Sequence, residues 1–270
     1  MGYPIAHSKS PFIHAAFAAQ TGEQLSYEAI CVEPGSFAEA LAAFREGGGR
    51  GLNVTLPFKE EAFALADVTS ERAAQAGAAN TLRFDASGKC EADNTDGVGL
   101  TRDLRENHGI EIRGRRVLLL GAGGAARGVL APLLAARPQT LVIANRTHAR
   151  AVDLAAGFSA VGPVSAVALD ELAARKFDLI INATSASLQN QAPAIPITLV
   201  AQGGCCYDMM YAAEPTPFLR WARDSEAGCC LDGTGMLVEQ AAESFYLWRG
   251  VRPRTRDVIA AVRDRLRGSG

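Results

Sequence analysis

A strand-like run, Val117-Leu118-Leu119-Leu120, leads directly into Gly121-Ala122-Gly123-Gly124-Ala125-Ala126, which reads as a tight turn and the start of a helix. Glycines in that position let backbone N–H groups approach a pyrophosphate, and the following helix N-terminus adds positive potential. Only the first two glycines of a G-x-G-x-x-G pattern are met, with Ala126 at the third, but the strand–turn–helix context is the one this chemistry requires. The next apolar run, Leu141-Val142-Ile143-Ala144, ends in Asn145-Arg146-Thr147, with Arg150 close behind. A site for NAD places Asp or Glu here to accept from a ribose hydroxyl. Arginine without a carboxylate instead suits a 2′-phosphate, which guanidinium binds by charge-assisted and often bidentate hydrogen bonds. Residues 116–150 are therefore expected to form a βαβ nucleotide unit that favours NADP(H) over NAD(H).

Further polar clusters sit elsewhere in the chain. Ser8-Lys9-Ser10-Pro11 follows His7, and Asn53-Val54-Thr55-Leu56-Pro57-Phe58-Lys59 follows a short apolar run. Asn80-Thr81 ends another, Asn94-Thr95-Asp96-Gly97 opens a helix, and Gly233-Thr234-Gly235-Met236-Leu237-Val238-Glu239-Gln240 opens a second. Together they offer hydroxyls, amides, one lysine and one aspartate at the ends of elements, an array suited to a small, hydroxyl-rich ligand. Taken singly, Ser8, Thr55 and Thr95 suit caps or turns, and Asp96 suits an ordinary N-cap.

The elements that must position these groups fall into two patterns. Over the first hundred residues, strands are expected at 27–32, 52–54 and 79–84, with helices at 34–46, after Pro57 and at 96–107. From Arg116 the rhythm becomes regular, with strands expected at 117–120, 140–144, 163–167, 178–182, 204–207 and 228–231. Near-continuous apolar strands alternating with helices argue for a parallel sheet covered on both faces. Two helices, 236–248 and 255–267, close the chain. The expected fold class is α/β, with a Rossmann-type nucleotide domain at 101–233 and a smaller α/β substrate domain. That second domain combines residues 1–100 with helices returning from 234–270.

Bulk composition narrows the partners. The 270 residues are 48% hydrophobic and 21% charged, ordinary for a soluble globular protein. A formal net charge of −2 gives no basic field, which speaks against nucleic acid and anionic membrane as main partners. The segment 117–136 carries a single charge, Arg127, but its glycine break and Pro132 deny it the character of a membrane span. The N-terminus lacks the apolar run of a signal peptide. Cys31, Cys90, the adjacent Cys205 and Cys206, and the adjacent Cys229 and Cys230 have neither C-x-x-C nor metal-ligand spacing. They read as small apolar residues in a reducing cytoplasm, with no metal site expected.

In this order, the clusters closely resemble the shikimate dehydrogenase family. The resemblance is carried by Pro4-Ile5-Ala6-His7-Ser8-Lys9-Ser10-Pro11, the 53–59 segment, Ala79-Asn80-Thr81, Asn94-Thr95-Asp96-Gly97, the 121–125 turn, Asn145-Arg146-Thr147, Asn182-Ala183-Thr184-Ser185, Tyr207-Asp208-Met209-Met210-Tyr211 and the 233–240 segment. It implies reversible reduction of 3-dehydroshikimate to shikimate by NADPH, within aromatic amino-acid biosynthesis. It further implies that Ser8 and Ser10, assisted by Tyr211, hold the substrate carboxylate. Thr55, Lys59, Asn80, Asp96 and Gln240 would hold the ring hydroxyls, and Lys59 and Asp96 would be the catalytic pair. Gly121, Ala122, Gly123, Gly124, Ala125, Asn145, Arg146, Thr147, Arg150, Thr184, Met209 and Gly233 would line the NADP site. A monomer or a homodimer accords with the same resemblance.

Two departures stand out. The family usually has a strand before the Gly-x-Pro-Ile segment, which is expected to be truncated or absent here. Ser187 stands where a glycine commonly follows the Asn-Ala-Thr-Ser motif, so backbone strain is expected there if φ is positive. Two rival readings are a quinate/shikimate dehydrogenase of broader specificity and a catalytically silent NADP-binding regulatory protein. Retention of both Lys59 and Asp96 argues against the second.

Overall fold

The computed structural model describes residues 1–184, 186, 191 and 194–268; Ser185 and Ser187 lie outside the described residues. The larger of two sheets holds β5 (Arg116–Leu120), β6 (Thr140–Ala144), β7 (Val164–Val167), β8 (Phe177–Asn182), β9 (Val200–Asp208) and β10 (Cys229–Leu231), all parallel, in the order β10-β9-β8-β5-β6-β7. Helices α6 (Gly124–Ala135), α7 (His148–Phe158) and α8 (Pro217–Asp224) cover it. The central strands β5, β6 and β8 are largely apolar because both faces are buried there, whereas the edge strand β7 buries only Val167. Val117 and Leu119 pack into a core with Val129, Leu130, Leu133 and Phe158, while Leu118 and Leu120 join Phe218, Trp221 and Leu172 on the opposite face. This alternation is the period-two geometry of a strand used twice over.

From β5 the chain first builds outward to β6 and β7, then crosses back to place β8 on the other side of β5. That reversal opens a crevice beyond the carboxyl ends of β5 and β8, where open α/β sheets bind their ligands.

The smaller sheet orders its strands β1 (Gly51–Asn53), β3 (Thr81–Phe84), β4 (Cys90–Asp93) and β2 (Val68–Thr69). β1–β3 and β3–β4 are antiparallel and β2–β4 is parallel. Around it lie α1 (Ser10–Thr21), α2 (Phe37–Glu46), α3 (Lys59–Ala64) and α4 (Glu71–Ala76), with α9 (Thr234–Arg249) and α10 (Arg256–Arg267) arriving from the far end of the chain. Ile13 and Phe17 of α1 are buried with Val238, Ala241, Phe245, Val258 and Val262, so the C-terminal helices belong to this layer. Residues 27–32 do not form the expected strand. Cys31 makes one isolated parallel bridge to Gly2, and a single bridge is no ladder.

Helix α5 (Asp96–Arg102) joins the two layers and runs on into a π-helical turn, Asp103–Asn107. Gly97 and Gly99 make the junction possible. A Cβ on Gly97 would stand 2.4 Å from Cγ of Pro132 in α6, and one on Gly99 would stand 2.8 Å from Cβ of Gln240 in α9. Asp103 is fully buried at the junction, accepting from the phenol of Tyr207 at 2.7 Å and from Asn107 at 2.8 Å.

Parallel register sets Cys205 beside Cys229 and Cys206 beside Cys230, all four as free thiols. Among the described residues, no helix is long and apolar enough to cross a membrane.

Candidate active site

Lys59 is the first residue of α3 and Asp96 the first of α5. A carboxylate at a helix N-terminus is favoured by the backbone dipole, whereas an ammonium there is not. Lys59 therefore needs a partner, and its Nζ lies 2.6 Å from Asp96 Oδ2. Its side chain is 21% exposed against 11% for Asp96, so the ammonium is the solvent-facing end of the pair. Among the described residues Asp96 is its one hydrogen-bond partner, and an ammonium has three N–H groups. The remaining N–H groups can meet a ligand oxygen.

Asn80, which is buried, sets the other carboxylate oxygen, donating to Asp96 Oδ1 at 2.8 Å. The same Nδ2 lies 3.0 Å from Thr95 Oγ1 and 3.3 Å from Gln240 Oε1, while Asn80 Oδ1 accepts the Thr95 N–H at 2.9 Å. Gln240 comes from α9 and anchors its own amide on the Leu237 carbonyl at 2.8 Å. Lys59, Asn80, Asp96 and Gln240 thus converge from four separate segments on one half-buried spot.

Ser8 and Ser10 lie together at the start of α1, the Ser10 N–H donating to Ser8 Oγ at 3.3 Å. Thr55 turns the chain after β1, its carbonyl accepting from Phe58 N–H at 3.0 Å. Tyr211 follows the carboxyl end of β9, on the other sheet, where burial pushes its phenol above the ordinary tyrosine value. No hydrogen bond among the described residues links Tyr211 to the Lys59 group.

The residues expected to bind nucleotide follow the carboxyl ends of β5, β6, β8, β9 and β10. Gly121 leaves β5 with φ +108°, a conformation that L side chains rarely adopt, and its N–H donates to the Ala144 carbonyl at 2.8 Å. At Gly123 and Gly124 a Cβ would meet nothing within 4 Å, and α6 starts at Gly124 with no side-chain cap. The N–H groups of that first turn are open to an anion. Asn145 shapes the turn after β6 by donating to the Thr147 carbonyl at 2.9 Å. Arg146, Thr147 and Arg150 are exposed, and neither arginine has an ion pair among the described residues. Thr184 donates to Asn182 Oδ1 at 2.7 Å, Met209 N–H donates to the Asn182 carbonyl at 3.0 Å, and Gly233 N–H donates to the Met210 carbonyl at 2.9 Å. An uncapped helix start, an open glycine turn and two unpaired arginines fit a dinucleotide carrying an extra phosphate.

Sequence reasoning missed an ionic cluster centred on the buried Glu243 behind these groups. Arg72 of α4 grips Asp93 with Nη2 at 2.6 Å and Nε at 2.9 Å, and reaches Glu243 of α9 at 3.1 Å. Arg102 of α5 and Arg252 also donate to Glu243, at 3.1 and 2.7 Å. Burial works against the Glu243 charge, yet the hydrogen bonds from Arg252, Arg72 and Arg102 outweigh it and hold the carboxyl below its ordinary value. The cluster ties α4, β4, α5 and α9 together behind Asp96 and Gln240. Its members lie far apart in the chain, so no local spacing announces them.

Three family models match the chain: the shikimate dehydrogenase substrate binding domain over residues 1–82, shikimate / quinate 5-dehydrogenase over 103–191, and the shikimate 5'-dehydrogenase C-terminal domain over 233–263. The NADP(+) shikimate dehydrogenase of Methylococcus capsulatus is 58% identical over 261 residues, covering 97% of this chain and 94% of that protein. The chain belongs to the shikimate dehydrogenase family. The shikimate dehydrogenase of Aromatoleum aromaticum is 56% identical over 99% of this chain and 97% of its own. Among solved structures, the Thermus thermophilus shikimate 5-dehydrogenase in complex with NADP(H) and shikimate superposes with a TM-score of 0.87 at 34% identity, covering 97% of each chain. The Ael1 enzyme from Pseudomonas putida gives 0.89 at 47% identity, covering 96% of this chain and 95% of that one.

Proposed function

We propose that the protein catalyses the reversible NADPH-dependent reduction of 3-dehydroshikimate to shikimate. One observation carries the mechanism: the Lys59–Asp96 ion pair, buttressed by Asn80 and Gln240, presents an ammonium with unused N–H groups at a half-buried opening. NADPH, when bound, supplies the hydride that adds to the ketone carbon. Negative charge then develops on the ketone oxygen, where Lys59 supplies both a positive field and the proton. Asp96 orients the ammonium and balances its charge; in the oxidative direction neutral Lys59 takes the hydroxyl proton.

Ser8, Ser10 and Tyr211 are assigned to the substrate carboxylate, and Thr55, Asn80 and Gln240 to ring oxygens. Gly121, Ala122, Gly123, Gly124 and Ala125 would cradle the pyrophosphate, and Arg146 and Arg150, with Asn145 and Thr147, would take the 2′-phosphate. Thr184, Met209 and Gly233 would line the rest of the NADP site. In this reading residues 1–100 and 234–270 bind substrate and residues 101–233 bind cofactor, a division the two separate sheets support. The free cysteines accord with a cytoplasmic setting.

The test is NADP+ reduction with shikimate and then with quinate. Turnover with shikimate and little with quinate is expected. Comparable turnover with both favours the broader quinate/shikimate reading, and none with either overturns the enzymatic one.

A further inference from the structure

Asn53, the last residue of β1, is placed in none of these roles, yet its side chain lies within hydrogen-bond distance of five other residues. Its Oδ1 accepts from the Tyr27 phenol at 2.9 Å and lies 3.2 Å from His14 Nε2. Its Nδ2 lies 2.9 Å from Ser244 Oγ and 3.2 Å from both Thr81 Oγ1 and the Asn80 carbonyl oxygen. Burial drives the His14 ring down to a pKa of about 3, so it is neutral at ordinary pH. Since Asn53 Oδ1 can only accept, the proton of His14 belongs on Nε2. The histidine is stacked on Tyr27 with ring centroids 4.2 Å apart, which fixes both donors in place.

The two ends of this amide face two halves of the proposed site. On the Oδ1 side, His14 stands one helical turn after Ser10 on α1, and the Ser10 hydroxyl lies beside the Tyr27 phenol. On the Nδ2 side, Ser244 and Thr81 meet at 2.8 Å, Thr81 donates to Asn80 Oδ1 at 2.8 Å, and Asn80 donates to Asp96. Asp96 in turn holds Lys59. A continuous hydrogen-bonded path therefore runs from α1, through one amide, to the ion pair.

We infer that Asn53 is a positioning residue that fixes the carboxylate-holding serines and the Lys59–Asp96 pair relative to each other across the substrate. The inference rests on the functional reading above. A rigid ring held by its carboxylate presents its reacting carbon at a fixed distance from that anchor, and a misplacement of about 1 Å costs roughly 100-fold. The amide suits this task because it accepts toward one half and donates toward the other.

Two near-isosteric changes loosen the path on opposite sides of Asn53 while every residue assigned to substrate is kept. Tyr27→Phe removes a donor to Oδ1 and keeps the ring; Ser244→Ala removes an acceptor from Nδ2. Each should lower kcat/KM for shikimate about fivefold to tenfold, the worth of one buried hydrogen bond, with KM for NADP+ unmoved. The double variant should lose clearly less than the product of the two single losses, because slack on either side of Asn53 already uncouples the two halves. Losses that multiply, or near-normal kcat/KM in both single variants whatever their thermal midpoints, overturn the inference. Asn53→Ala, which also removes the links to His14, Thr81 and Asn80, should lose at least as much as the double variant if it folds; the conservative pair decides the matter if it does not. A wild-type protein without shikimate turnover sinks the functional reading and this one together, whereas multiplying losses in an active enzyme sink this one alone.

Discussion

Lys59 Nζ lies 2.6 Å from Asp96 Oδ2 although the two residues open different helices, α3 and α5, that belong to separate segments of the chain. The contact leaves the ammonium with spare donors on its exposed side, as a proton donor to a ketone requires. Replacing Lys59 by Met should lower kcat by about 100- to 10,000-fold, the usual worth of a positioned general acid. NADPH binding, followed by fluorescence titration, should be unchanged. Near-normal turnover would remove Lys59 from the chemistry.

Arg146 stands exposed after β6 with no ion-pair partner among the described residues. Arg146→Ala should raise KM for NADPH about 10- to 100-fold, the range of hydrogen bonds to a charged group, and leave KM for NADH little changed. Steady-state kinetics with the two cofactors decides it, and equal effects would refute the 2′-phosphate role.

Glu243 satisfies three arginines from a side chain only 9% exposed. Glu243→Gln keeps the shape but removes the charge, leaving Arg102 and Arg252 poorly compensated while Arg72 keeps Asp93. A loss of about 3 kcal/mol is expected, typical of breaking a buried ion pair from one side, visible as a lower midpoint in denaturant unfolding. An unchanged midpoint would mean that the cluster is solvated in solution.

His14 predicts a pH dependence of stability. Burial, against the opposing hydrogen bond that His14 makes to Asn53 Oδ1, takes its pKa from 6.5 to about 3. The unfolded chain therefore binds the proton more readily, so the contribution is fully present above pH 6.5 and is lost as pH falls towards 3. The expected slope is about 1.4 kcal/mol per pH unit in that window. His14→Phe should flatten it. Glu239, raised by burial, acts in the opposite sense and is retained in both proteins. Identical slopes in denaturant unfolding from pH 5 to 6.5, on the order of one unit or more of range, would show that His14 does not carry the effect.

The parallel sheet was legible in the sequence because its strands are buried on both faces, so Val117-Leu118-Leu119-Leu120 and Leu141-Val142-Ile143-Ala144 read as apolar without interruption. The smaller sheet was harder. Cys90–Asp93 alternates two buried residues with Glu91 and Asp93, too short and too charged to announce a strand. Helix α1 was hidden inside what reads as a polar motif, and residues 27–32 have strand composition but lack a strand to pair with. At the site, the sequence exposes side chains that face a ligand, since they sit at element ends in recognisable clusters. It conceals those that brace them. Glu243 lies among ordinary helix formers, and nothing in its neighbourhood points to Arg72, some 170 residues earlier.

Gly97 and Gly99 press α5 against α6 on one side and α9 on the other, with no space for a methyl group at either contact. This bears on recombination between relatives. A chimera that takes its cofactor half from one parent and its substrate half from another must form one of these two contacts between surfaces from different parents, wherever the crossover falls around α5. Exchange of whole halves should thus yield poorly folded hybrids even between close relatives. Moving α5, α6 and α9 as one block should preserve the fold, because the glycine contacts then travel with the surfaces that shaped them.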